Sequence, residues 1–232
     1  MTEDDVKTRL MQAALLHVPF DGWSEAAFRA ACADAGIDSG IARVQCPRGA
    51  LDLAVAYHKA GDAVMLDRLR RADLREMRFR DRVVFAVRAR LEAVEDKEVV
   101  RRGTTLFALP QHAAEGAKLI WGTADTIWTA LGDGSEDLNW YSKRAILSGV
   151  YASTVLYWLG DDSPGHQATW DFLDRRIGDV MALETVKAKL RENPLTRPLM
   201  AGQDWLAARV RKPSARRDMP GSWGGFGTGD RT

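Results

Sequence analysis

The chain has 232 residues, of which 46% are hydrophobic and 28% charged, with a net charge of +1. This composition supports a hydrophobic core and excludes a wholly disordered chain. The charge balance gives no overall attraction to nucleic acid or to an acidic substrate. The two cysteines, Cys32 and Cys46, exclude a disulfide scaffold and favour reduced, buried thiols. The longest uncharged run, 145–160, is too short to span a membrane. We therefore expect a protein that is soluble or lies on a membrane surface.

The first third of the chain has helical periodicity throughout. Apolar residues from Val6 to Val18 predict one helix. Ser24 and Gly36 are typical cap residues for a helix over 25–35. Asp38 or Ser39 is expected to cap a short helix over 40–45. Pro47 is expected in the first turn of a long helix that breaks near Gly61 and Asp62.

This order of helices is that of a helix-turn-helix module, which places its short second helix in the DNA major groove. That helix has Arg43 as its only charge, and Arg48 follows just beyond. Residues 1–65 carry 6 basic and 9 acidic side chains, whereas DNA affinity depends on several phosphate contacts from Lys and Arg. We therefore expect a helix-turn-helix shape that binds no nucleic acid.

Three strong helices are predicted over 117–131, 138–159 and 169–190, so the fold class is all-α. Five of the eight tryptophans lie within this region: Trp121, Trp128, Trp140, Trp158 and Trp170. Such aromatic faces fit either a filled core or an apolar cavity that accepts a lipid chain. The sequence leaves both alternatives open.

Trp140 and Tyr141 are adjacent on a predicted helix and therefore point about 100° apart. They cannot both face one core stripe, so one of them is expected near the surface. Aromatic side chains beside Arg144 are typical of a protein–protein interface. Asp133, Glu136 and Asp137 would supply an acidic rim.

Evidence for an active site is weak. The histidines, which are His17, His58, His112 and His166, lie far apart, and none has a second ligand at the spacing of helical metal sites. His58 has apolar neighbours and is predicted to be structural. We expect no enzyme activity, metal or cofactor.

The C-terminal region is basic, with 10 basic and 4 acidic residues over 186–232. Residues 193–212 are predicted to hold an amphipathic helix that contacts an anionic membrane surface, and 213–232 a disordered tail. The residues expected at the membrane are Leu199, Trp205, Leu206, Arg209, Val210, Arg211 and Lys212.

The chain resembles the Coq-nine family of ubiquinone biosynthesis accessory proteins over about residues 8–190. The resemblance rests on residues 124–128, 132–145, 161–164, 169–177 and 179–181, with 22–24 and 47–50 in addition.

The resemblance implies a TetR-like helical bundle with a helix-turn-helix-like module at 1–62 and a lipid-binding and dimerisation region at 63–192. It implies an accessory protein that presents a prenylated quinone to a di-iron hydroxylase. The ligand would be an isoprenoid quinone intermediate or a phospholipid. The location would be cytoplasmic and peripheral on a bacterial inner membrane, as a homodimer. The alternative is a TetR-type transcriptional regulator with an apolar ligand pocket.

Two sets of site residues follow from this resemblance and from the apolar faces. The expected lipid contacts are Ile120, Trp121, Ile127, Trp128, Val150, Val155, Leu173 and Ile177. The expected contacts to the hydroxylase are Asp137, Asn139, Trp140, Tyr141 and Arg144.

Overall fold

The computed structural model describes residues 3–133 and 138–192. These residues form ten α-helices and no strand, so the all-α prediction is confirmed. The helices are α1 Glu3–Ala14, α2 Val18–Asp21, α3 Glu25–Ala35, α4 Ser39–Gln45, α5 Ala50–Arg71, α6 Phe79–Leu91, α7 Lys97–Ala108, α8 Ala113–Ala130, α9 Leu138–Leu159 and α10 Gln167–Glu192.

The predicted caps of the N-terminal helices are confirmed. The Ser24 hydroxyl accepts the backbone N–H of Ala27 at 3.2 Å and begins α3. Gly36 ends α3 in the left-handed region with φ of 61°, which glycine adopts without a steric cost. The carboxylate of Asp38 accepts the backbone N–H groups of Gly40 and Ile41 and caps α4.

Two predicted boundaries near prolines are wrong. The helix predicted from Val6 to Val18 ends at Ala14, and α2 begins at Val18 with Pro19 in its first turn. Proline lacks the N–H that would continue α1. Pro47 lies outside α5, which begins at Ala50 after Gly49 with φ of 61°.

The break predicted near Gly61 and Asp62 is also wrong, because α5 is continuous from Ala50 to Arg71. Glycine lies here because another side chain approaches the helix. A Cβ at position 61 would be 2.5 Å from Nη1 of Arg90. Because Gly61 has no side chain, the Arg90 guanidinium on α6 can lie against α5 at this position.

The apolar side chains form two cores, and α5 contributes to both. The first core lies among α1 to α5 and the start of α7, and it includes Leu10, Phe28 and Leu53. The second lies among α5, α6, α8, α9 and α10 and includes Met65 and Leu173. The boundary predicted at residue 62 therefore falls inside a helix that both cores share.

A buried polar cluster joins α5, α6 and α8. Arg90 is 5% exposed, and its Nε donates to Oδ1 of Asp62 at 2.7 Å. Its Nη2 donates to the backbone carbonyl of His58 at 3.0 Å. The Thr123 hydroxyl lies 2.9 Å from Oδ1 of Asp62 and 2.9 Å from Nε2 of His58. His58 therefore has a hydrogen-bond partner, as predicted for a structural histidine.

Replacing Gly61 by Ala should destabilise the protein, although Ala is the better helix former. The new methyl group displaces the buried Arg90 guanidinium, which we expect to lower the free energy of unfolding by about 1–3 kcal/mol. Gly122→Ala in α8 is the matched control, since a Cβ there meets nothing within 4 Å. That variant should gain up to about 1 kcal/mol. Urea unfolding of both measures the difference, and equal stabilities would contradict this role of Gly61.

Stability should fall as pH drops from 6.5 toward 4. Burial, with a further effect from Arg90, lowers the pKa of His58 from 6.5 to about 4. The unfolded state therefore binds the proton first over this interval, at a cost to folding of at most about 3 kcal/mol. His58→Gln keeps an N–H for Thr123 but does not titrate, so its unfolding free energy should depend less on pH. Parallel pH profiles for the two proteins would contradict the assignment.

Candidate functional site

A cavity of about 400 Å³ lies among α5, α6, α7, α8 and α9. Its walls are largely apolar and include Leu91, Val94, Phe107, Ile120 and Val155. Small residues on the same walls leave the space unfilled; these are Ala54, Gly103, Ala113, Gly116, Ala117 and Ala152. The volume falls in the range of ~300–1,000 Å³ that is usual for small-molecule sites.

The cavity has apolar residues at its opening and a few polar side chains in its wall. Ala113, Ala117 and Leu156 line it and are solvent-exposed, so they mark the opening. Arg90 and Tyr151 also line it and are only 5% and 3% exposed. Arg90 and His58 of the buried polar cluster thus form part of the cavity wall.

The predicted lipid contacts divide into two groups. Ile120 and Val155 line the cavity. Five others pack in the second core: Ile127, Trp128, Val150, Leu173 and Ile177. The cavity also lies elsewhere than predicted, because α5, α6 and α7 line it, whereas none of the α10 side chains that the structure describes, 167–180, does so. The large side chains of α8, α9 and α10 fill the space between these helices, whereas small residues leave a hollow beside the N-terminal half of α8.

Sequence analysis missed most of the cavity wall, including Tyr57, Arg90 and Tyr151. One signal was present in α8, where Ala113, Gly116 and Ala117 repeat at helical spacing on one face. Small residues in the N-terminal half of an apolar stripe whose C-terminal half is large and aromatic indicate a cavity or a close approach between helices.

Trp121, Trp140 and Tyr141 form an aromatic patch on the surface of α8 and α9. The ring centroids of Trp140 and Tyr141 lie 4.8 Å apart at an interplanar angle of 80°. Trp121 lies 6.0 Å from Trp140 and 6.4 Å from Tyr141. All three side chains are partly exposed. Trp121, predicted to contact lipid, is therefore a neighbour of the predicted interface residues.

Arg144 lies beneath the aromatic patch and is only 2% exposed. Its Nε donates to Oδ1 of Asp125 at 2.5 Å and its Nη1 to Oδ2 of Asp133 at 3.0 Å. The guanidinium carbon lies 4.1 Å from the ring centroid of Trp140. Arg144 was expected to contact a partner, but its burial makes it a support that fixes the orientation of Trp140.

Other predicted site residues lie outside the described part of the chain. They are Asp137 and the seven expected membrane residues at 199–212. The side chain of Asn139 is likewise not described.

Within residues 3–133 and 138–192, no group of three or more His, Cys, Asp or Glu side chains could hold a metal ion. Over the same residues, no helix is both long and apolar enough to cross a bilayer. Cys32 and Cys46 are buried, free thiols whose pKa burial raises. Their protonated state agrees with the structural role predicted for them.

Comparison with solved structures shows a TetR-like fold. The TetR transcriptional regulator from Nitrosomonas europaea ATCC 19718 matches with a TM-score of 0.62 over 74% of this chain and 95% of that chain. Sequence identity to it is 16%, so the likeness concerns the fold alone.

Comparison with sequences gives a more specific relationship. Residues 113–184 match the model of the COQ9 family. The mitochondrial ubiquinone biosynthesis protein COQ9 of Drosophila melanogaster is 32% identical over 78% of this chain and 57% of its own length. The protein of the same name from Rattus norvegicus is 30% identical over 78% of this chain and 60% of its own length. The chain thus spans about three fifths of the length of these relatives. These matches confirm the resemblance to the COQ9 family found in the sequence.

Proposed function

We propose that this chain is a non-catalytic lipid-binding accessory protein of ubiquinone biosynthesis. It presents a prenylated quinone intermediate to a membrane-associated hydroxylase. The observation that carries this proposal is the apolar cavity of about 400 Å³ in a chain that matches the COQ9 family.

The cavity wall suits a lipid because the apolar surface of a bound lipid is removed from water there. The gain is about 25 cal/mol for each Å² of apolar surface buried. The exposed apolar residues at the mouth, Leu156 among them, extend this wall to the surface. A lipid tail longer than the cavity would therefore extend over these exposed apolar residues at the mouth.

The aromatic patch supports the second part of the proposal, which is contact with the hydroxylase. Trp and Tyr are the side chains that contribute most binding energy at interfaces. Trp140 contacts both the Trp121 ring and the Arg144 guanidinium, so little rotamer freedom remains to be lost on binding. A partly exposed aromatic cluster with fixed geometry is therefore a suitable docking surface.

The alternative, a TetR-type transcriptional regulator, has less support from the geometry of α4. Arg43, the only charge of this helix, is paired with Glu25. Ile41 is 53% exposed and Val44 74% exposed. A helix that presents apolar side chains and a neutralised arginine offers few contacts to DNA phosphates.

The proposal has three further parts. They are homodimerisation, binding to an anionic membrane surface and a location at a bacterial inner membrane. They rest on the family resemblance and on the basic composition of 186–232. The curated relatives are named as mitochondrial proteins.

Filling the cavity should reduce the amount of lipid that the purified protein carries. Ala152 lines the cavity on α9, so Ala152→Trp places a large ring in the space of the ligand. Native mass spectrometry should show a roughly five- to 150-fold weakening of lipid binding, which corresponds to a steric conflict of about 1–3 kcal/mol. Ala145→Trp is the control, because Ala145 is exposed on the same helix outside the cavity. An unchanged lipid load in Ala152→Trp would exclude the cavity as the lipid site.

Trp140→Ala should weaken binding to the hydroxylase while the domain stays folded. Loss of an interface tryptophan costs about 2 kcal/mol of binding or more. The lost ring contacts should cost only about 1 kcal/mol of stability, against 3–5 kcal/mol for a core tryptophan. Pull-down and thermal melting are measured on the same variant.

The control for Trp140→Ala is Phe20→Ala, which removes an aromatic ring that is 81% exposed on the N-terminal helices. That variant should leave hydroxylase binding unchanged. Binding that Trp140→Ala leaves at the original level would rule out the aromatic patch as the docking surface.

A further inference from the structure

The helix α7 forms one wall of the cavity, and its two halves are held to the rest of the protein in different ways. Six of its twelve residues line the cavity, and they come from both halves. These are Val99, Val100, Gly103, Thr104, Phe107 and Ala108. The N-terminal half, 97–102, lies beside α2 and the end of α9, whereas the C-terminal half, 103–108, lies beside the start of α8.

The N-terminal half of α7 is fixed by hydrogen bonds on two sides. Nζ of Lys97 donates to the backbone carbonyl of Asp161 at 2.7 Å, and Nη2 of Arg101 donates to that of Leu159 at 2.8 Å. On the other side, the Arg102 guanidinium donates to the backbone carbonyl of Pro19 in α2 at 3.0 Å. This half cannot move without breaking these charge-assisted bonds, which are stronger than neutral ones.

The C-terminal half of α7 has no such bonds. Among the described residues, none of 103–108 makes a hydrogen bond to another helix. Thr104 and Thr105 donate their hydroxyl groups to carbonyls four positions earlier in α7 itself. Val99, the one buried residue of α7, lies in the N-terminal half. Few buried contacts and no hydrogen bonds to neighbours are typical of a segment that opens locally at low cost.

Gly103 lies at the junction of the two halves, and packing does not explain it. Outside its own helix, a Cβ there would meet only Nε1 of Trp23, at 3.6 Å, which is ordinary van der Waals contact. At Gly61 and Gly116, by contrast, a Cβ would lie 2.5 Å and 2.8 Å from a neighbouring side chain. Glycine lowers helix stability relative to Ala, and hydroxyl bonds like those of the next two threonines bend helices. The junction is therefore a weak point of α7.

The C-terminal half of α7 closes against α8 at the mouth of the cavity. A Cβ at Gly116 would lie 2.8 Å from Cβ of Phe107, so the two helices are in close contact there. Gly116 lies between Ala113 and Ala117, which mark the mouth, and Ala108 also lines the cavity and is exposed. The Phe107 contact is apolar, so separating it leaves no buried polar group unpaired.

We propose that residues 103–108 are a gate that turns about Gly103 and opens the mouth of the cavity to admit and release a lipid. The N-terminal half of α7 stays in place through its hydrogen bonds, and the contact of Phe107 with Gly116 holds the gate closed. Hinges of this kind are a few residues that absorb the change in backbone angles. This inference rests on the proposed function, in which the cavity binds a lipid, and it adds how that site opens.

A gate changes the rates of binding and release by the same factor and leaves the affinity unchanged, because it alters only the barrier between the free and bound states. The probe is diphenylhexatriene, an apolar molecule that fluoresces only outside water. Stopped-flow fluorescence measures both rates on the full-length chain after removal of co-purified lipid, and on the variants Gly103→Ala and Gly116→Ala. Gly122→Ala is the matched control, since Gly122 lies in α8 outside the cavity and a Cβ there meets nothing within 4 Å.

We expect Gly103→Ala to slow both binding and release about four- to five-fold, with an unchanged Kd. This factor is the difference in helix propensity between Ala and Gly, converted to a rate. Gly116→Ala should raise both rates, because its methyl group displaces Phe107 from α8. Gly122→Ala should bind and release the probe like the original chain.

Three results would overturn the gate, and they are distinguishable. If Gly103→Ala and Gly122→Ala bind the probe with equal rates, residues 103–108 do not control entry, and the proposed function stands. If Gly103→Ala changes the Kd through the release rate alone, Gly103 is part of the binding surface and not a hinge. If the original chain binds no probe, the proposed function fails together with the inference.

Discussion

The buried ion pair between Arg90 and Asp62 is the interaction on which the rest of the structure depends. A guanidinium that is 5% exposed is tolerated only where its hydrogen bonds are satisfied, and Asp62 with the His58 carbonyl provides them. The pair holds α6 against α5 at the place where Gly61 gives room. Arg90 also lines the cavity, so one interaction holds the helix packing and places a polar group in the cavity wall.

Much of the fold could be predicted from the sequence, because local signals determine where helices begin and end. Ser24, Gly36 and Asp38 act through their own backbone neighbours, so their effect does not depend on distant residues. The continuity of α5 could not be predicted in this way. Gly61 is a helix breaker by intrinsic propensity, and only its contact with Arg90, 29 positions later, explains its presence.

The position of the cavity was beyond sequence analysis for a different reason. Periodicity shows which face of a helix is buried, but not whether the space beyond that face is filled. In α8, Ile127 and Trp128 enter a filled core, whereas Ala113 and Ala117 border the empty volume. Arg144 is a related case. Arginine is rarely buried, and its burial here depends on Asp125 and Asp133 together, which spacing alone does not bring together.

The sharing of α5 between the two cores has a consequence for how the molecule unfolds. Leu53 packs in the first core and Met65 in the second, on one continuous helix of 22 residues. When α5 frays at either end, the core at that end loses contacts. The rest of the helix, which packs in the other core, is then also less firmly held. The helix-turn-helix-shaped module and the cavity-bearing bundle therefore constitute a single cooperative unit, and slow amide exchange in one half depends on the integrity of the other.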